Sequence, residues 1–170
     1  MPARLRAPIL ALAVWVLPGC DNGSETPSNP GSFEVTVEGA AAASFSGGTI
    51  TRVTTTTSAG LPATSIYSFQ LVSGTERRIV QISAVPAGQR DLVAGSYAFN
   101  LPEDGGEYAI GIVDVGTGTF VSRSGTLTVT RPASERVRGV FAFEAESESG
   151  TETVTVRGRF EADIGGATRR

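Results

Sequence analysis

The chain reads as an all-β protein, an antiparallel β-sandwich or small β-barrel of about 8–10 short strands behind an N-terminal signal peptide. Two observations carry that expectation. From Phe33 onward apolar and polar residues alternate with period two, with little sign of a helical period. Gly, Pro, Asn and Asp break the alternation at short intervals, as hairpin turns do.

Taken in order, FEVTV comes first and puts Phe33, Val35 and Val37 on one face. GTITRVTTTT follows, with Ile50 and a run of β-branched residues suited to a pleated surface. Further strands are predicted over 66–72, 78–85, 96–101, 107–114, 118–123, 125–131, 135–146 and 153–163. Two short matches, GTIT at Gly48 with GTLT at Gly125 and VTVEG at Val35 with VTVRG at Val154, stand at different offsets. They are strand vocabulary reused, not a duplication.

The last two strands are the best specified. In ERVRGVFAFEAE, Val137, Gly139, Phe141, Phe143 and Ala145 share a face, and in TVTVRGRFEAD so do Val154, Val156, Gly158, Phe160 and Ala162. A two-residue type II′ turn at Gly150-Thr151 would set Phe143 opposite Gly158 and Phe141 opposite Phe160 inside the fold. Outside, the same register sets Glu144 against Arg157 and Arg138 against Asp163.

Ahead of the strands, residues 1–19 read as an export signal. Arg4 and Arg6 make a positive start, and the apolar run 7–17 is shorter than the roughly 20 residues that a bilayer span needs. The run closes on LPGC, which resembles the lipobox of bacterial lipoproteins: Leu17 and Gly19 match the signal-peptidase recognition positions, and Pro18 departs from the small residue usual there. The resemblance implies a diacylglycerol thioether on Cys20, cleavage before it and acylation of the new amine. Cys20 is then a membrane tether, since two or three acyl chains anchor stably where one does not. The alternatives are a secreted chain with an unmodified Cys20, or an uncleaved apolar segment with a buried thiol. Asp21 resembles the inner-membrane retention signal of enterobacterial lipoproteins. With no other cysteine in the chain, the domain has no disulfide to lean on.

Residues 20–32 form a flexible polar linker, because DNGSETPSNPGS holds no large apolar side chain. The β domain is expected over 33–163 and a disordered tail over 164–170. The order LPEDGGEYAIGIVD, SGTLTVT, RVRGVFAFEA, TVTVRGRFEAD is similar to a group of uncharacterised bacterial lipoproteins with a lipobox leader, a polar spacer and one β-rich domain. That resemblance implies fold and location in the cell envelope, facing the periplasm or the cell exterior. It brings no activity.

Composition removes whole classes of chemistry. The 14 basic residues are all Arg, and the chain has neither Lys nor His. Without His there is no Ser-His-Asp or Cys-His pair and no imidazole metal ligand; without Lys there is no Schiff base and no phosphate-loop lysine. The single Trp, Trp15, lies in the leader, so no Trp platform for a sugar remains in the mature chain. Losing Arg4 and Arg6 leaves 12 Arg against 17 acids, a net −5 that disfavours nucleic acid as a partner.

Each candidate site competes with an ordinary structural role. Glu103, Asp104 and Glu107 around Gly105-Gly106 could offer oxygens to calcium, with Asp91 and Asp114 joining if the fold allows, but the spacing is that of a hairpin tip and lacks an EF-hand loop. Tyr67, Tyr97 and Tyr108 with Arg77, Arg78 and Arg90 could line a sugar or peptide groove; as core-edge tyrosines and surface arginines they need no ligand. Glu144, Glu146 and Glu148 make a solvated acidic face or a patch for a basic partner, and VGTGTF, 115–120, reads as a turn.

The expectation is therefore a non-catalytic binding or structural module of the cell envelope, held by acyl lipid on Cys20, with no other cofactor and an envelope protein or glycan as partner. A lipocalin-like carrier of small apolar ligands is the alternative, and a carboxylate-dependent hydrolase a third. Phenylalanines facing glycines favour a filled core over a carrier cavity.

Overall fold

A computed structural model describes residues 31–56, 64–74, 78–88, 91–100, 106–133 and 135–164. They form nine strands and no helix: β1 Gly31–Gly39, β2 Ala43–Thr56, β3 Thr64–Ser73, β4 Ile79–Val85, β5 Gly95–Ala98, β6 Tyr108–Asp114, β7 Thr119–Ala133, β8 Arg136–Ser147 and β9 Thr153–Asp163. Around the sheet the order is β1-β2-β3-β4-β6-β5-β7-β8-β9, and β9 pairs with β1, so the sheet closes on itself. The all-β expectation holds, in its barrel form. Closure leaves no long unpaired edge between β1 and β9. All pairs are antiparallel except β5 with β6, which meet in parallel at Ala98 and Tyr108.

Alternation sends one set of side chains into the barrel, including Phe33, Val35 and Val37 from β1 and Val137, Phe141 and Phe143 from β8. A relay of rings crosses the interior: Phe69 lies 4.6 Å from Phe160, which is 6.3 Å from Phe141; Phe141 is 5.9 Å from Phe143, and Phe143 is 4.6 Å from Phe99. Several of these rings lie on glycines. A methyl group at Gly158 would come within 2.6 Å of Phe141 Cζ, and one at Gly111 within 2.8 Å of Phe143 Cζ. Bare backbone makes room for each ring, so rings fill the lumen between opposite walls.

The β8–β9 hairpin keeps the expected faces and shifts the expected register by two residues. Phe141 lies opposite Gly158, Gly139 opposite Phe160 and Phe143 opposite Val156. The connection is a four-residue loop, 148–151, not a two-residue turn: the Gly150 N–H donates to Ser147 O at 2.9 Å, the Ser147 N–H to Glu152 O at 3.0 Å, and Gly150 takes φ +71°. Outside, Arg138 therefore faces Glu161 and Ala142 faces Arg157, which corrects the expected Arg138–Asp163 and Glu144–Arg157 pairs.

The strands expected over 118–123 and 125–131 are one strand, β7, with a bulge where Arg123 has no residue opposite it in the backbone register of β8. At this bulge the sheet forks. The start of β7 pairs with β6, and the stretch from Thr126 to Val129 pairs with β5, which is wedged between them. Where β6 and β7 separate, Ser122 Oγ accepts the Gly111 N–H at 2.9 Å, and Gly125 O accepts the Phe99 N–H at 3.0 Å. Gly125 sits at φ +133°, which side-chain-bearing residues rarely adopt.

Candidate functional site

Cys20, Leu17 and Gly19 lie outside the described residues, as do Arg77, Arg90, Glu103 and Asp104. Tyr67, Tyr97 and Tyr108 lie toward one end of the barrel, where two of the phenols bond to neighbouring chain segments. The Tyr67 hydroxyl donates to Asp91 Oδ1 at 3.2 Å. Tyr97 is fully buried; its hydroxyl donates to Val93 O at 3.0 Å and accepts the Val93 N–H at 3.3 Å. This ties the segment before β5 to the core, as a tyrosine corner does in Greek-key folds. Burial pushes the Tyr97 phenol above its ordinary range, with Glu107 and Tyr67 adding to the rise and the Val93 bond opposing it.

Tyr108 is half-buried, opposite Val85 on β4 and Ala98 on β5. Arg78 stands at the far end of the β3–β4 hairpin, its guanidinium carbon 6.0 Å from the centre of the Phe45 ring. The fold thus brings the tyrosines toward one another and keeps Arg78 away from them. Among the described residues no three acidic or cysteine side chains converge as a metal site.

A broad, open concavity lies on the outer face of β2, β1, β9, β8 and β7. Strand pairing lays two rows across it, Ser44-Thr36-Arg157-Ala142-Thr126 and Ser46-Glu34-Arg159-Val140-Thr128. Small side chains on β7 and β8 make a shallow floor, in which Val140 is 61% exposed. The wall is arginine held by carboxylate: Arg157 Nη1 lies 2.7 Å from Glu38 Oε2, and Arg159 Nη2 lies 2.8 Å from Glu34 Oε2. Below it Glu161 binds Arg136 at 2.9 Å and Arg138 at 3.2 Å, and the hydrogen bond from Arg136, more than any other influence, holds its carboxyl below the usual range. Such a surface presents charges paired with one another around a small, partly apolar floor.

Of the acidic trio, Glu146 takes Arg123 at 2.8 Å and Glu144 accepts a hydrogen bond from Ser124 at 3.3 Å. In VGTGTF the Asp114 carboxylate accepts the Gly116 N–H at 2.8 Å and Gly116 takes φ +82°, which makes this stretch the β6–β7 turn. The groove residues Val140 and Arg159 were not singled out by sequence reasoning, and Arg157 entered it only as the expected partner of Glu144. Alternation alone marks them as outward-facing, but their company depends on β1 meeting β9, strands at opposite ends of the domain. The chain matches no protein-family model, no curated protein and no solved structure.

Proposed function

We propose that this protein is an exported, lipid-anchored β-barrel of the bacterial cell envelope that works by binding through the outer surface of its barrel. The observation that carries the reading is the leader ending in LPGC, followed within eleven residues by the first strand at Gly31. Fully extended, that spacer reaches roughly 35–40 Å, enough to hold the barrel beside the bilayer and free to turn.

Two features support binding at the outer face over an internal ligand. The relay from Phe69 to Phe99 occupies the interior, with rings set directly on Gly111 and Gly158. The groove over Val140 and Ala142, walled by Arg157 and Arg159, is open to a protein or glycan of the envelope. The absence of His and Lys from the chain weighs against acid–base or covalent catalysis by this domain.

The test is a photo-crosslinking residue at Val140 in the full-length protein, irradiated in cells and followed by mass identification of the adducts. One dominant envelope protein or glycan is the expected capture. No adduct at Val140, with an apolar compound retained by the purified protein, would move the reading to the carrier.

A further inference from the structure

The opposite wall differs in kind. The adjacent strands β3, β4 and β6 carry a single charged side chain, Asp114. On the outer side of this wall Ile79 and Ile110 are 38% and 40% exposed, and Ile50 on the neighbouring β2, opposite Gln70, is 54% exposed. Its centre is polar and uncharged: the Gln70 amide nitrogen lies 3.5 Å from Gln81 Oε1, and the Ser68 and Ser83 hydroxyls lie 3.0 Å apart. Exposed isoleucines grouped on one wall mark an interaction surface more strongly than isoleucines scattered singly.

Two charges border the wall, and their placement indicates what covers it. Arg52 on β2 belongs to the row Arg52-Ser68-Ser83-Ile110, and Asp114 on β6 to the row Val72-Ile79-Asp114. Between these rows runs Ile50-Gln70-Gln81-Ile112. Opposite charges thus stand at diagonal corners with the glutamine pair midway. Arg123, Arg136, Arg138, Arg157 and Arg159 are all held by glutamates of the same chain, whereas Arg52 has no ion pair among the described residues. Asp114 turns Oδ1 to the Gly116 N–H and keeps Oδ2 for a further donor.

We propose that this wall is the docking surface for a second copy of the same chain, packed about a two-fold axis through the Gln70–Gln81 pair, so that Arg52 of each copy meets Asp114 of the other. A two-fold axis in the plane of contact exchanges the two corners, so one arrangement closes both ion pairs and covers the isoleucines. A bilayer surface offers no fixed pair of opposite charges at the spacing of the two corners, whereas a second copy supplies both at once. The proposal rests on the anchor reading only for local concentration: tethering to one membrane raises the encounter rate of a small, weakly binding face.

The test places one cysteine at Gln81, beside the axis, in the full-length protein and treats cells with a short bismaleimide. Gln81→Cys is expected to give covalent dimer in at least tenfold excess over Val140→Cys on the opposite wall. Adding Arg52→Asp should cut that yield at least tenfold, and adding Asp114→Arg to that variant should restore at least half of it. Should the double variant fail to fold, Arg52→Asp alone decides, because Arg52 is exposed. Dimer no more abundant than with Val140→Cys, or a yield indifferent to Arg52→Asp, overturns the proposal. So does a thiol in the Gln81→Cys variant that gives no covalent dimer and that water-soluble maleimide reaches only after detergent, which would seat the wall on the bilayer. The parent chain is the control: dimer through Cys20 there would defeat the anchor and leave docking to be decided by the same comparison in Cys20→Ser.

Discussion

Gly158 shows how tightly single residues are specified. A β-carbon there would sit 2.5 Å from the Glu34 carbonyl oxygen as well as 2.6 Å from the Phe141 ring, so backbone and side chain both resist it. Gly158→Ala is expected to cost about 1–3 kcal/mol, the range of overpacked cores, although Ala is the better strand residue intrinsically. Urea unfolding measures it, and an unchanged midpoint would contradict the ring-on-glycine packing. Tyr97 makes a second case. Its folded pKa is raised above the unfolded value near 10, so its contribution is complete below about pH 10 and is lost as pH climbs through the folded value. Tyr97→Phe should remove that part of the alkaline loss while lowering stability at neutral pH by about 1 kcal/mol, one net hydrogen bond. Unfolding midpoints at pH 7 and above pH 10 read both effects. The sequence marked Tyr97 as a ligand candidate because a tyrosine near a core edge looks the same whether its hydroxyl meets a ligand or Val93.

Among the elements, the fork at β7 is where backbone groups are most at risk. Gly111 is buried and its N–H has Ser122 Oγ as acceptor at the point where β6 and β7 part. Ser122→Ala would leave that donor without its partner, at an expected cost of about 1–3 kcal/mol, with faster hydrogen exchange at the Gly111 amide. An amide as protected as before would mean that the fork does not depend on this bond. Strand positions were legible from alternation, and β9 spans 153–163 as expected. The register of the β8–β9 hairpin was not, because a pattern of period two repeats under a two-residue shift and only the loop can choose between the solutions. Here Ser147 and Gly150 closed a longer loop than the Gly-Thr pair suggested. Nor did the sequence announce the bulge at Arg123 or the wedge of β5, since both depend on strands that meet only in the folded barrel.

As a whole molecule the chain divides its surface. Ion pairs line the wall built from β1, β8 and β9, while β3, β4 and β6 face outward almost without charge. The contrast follows from closure: pairing β1 with β9 brings Glu34 to Arg159 and Glu38 to Arg157 across more than a hundred residues, which no local pattern shows. The proposed tether, in contrast, rests on a linear motif, LPGC, which needs no fold to be seen. Intact-mass measurement of the protein extracted from cell envelopes decides whether Cys20 carries lipid at the start of the mature chain. A lipid anchor there gives a chain beginning at Cys20 with the added mass of diacylglycerol and further acyl groups, and loss of that mass and of membrane retention in Cys20→Ser. A mature chain of unmodified mass, unchanged by Cys20→Ser, would contradict it.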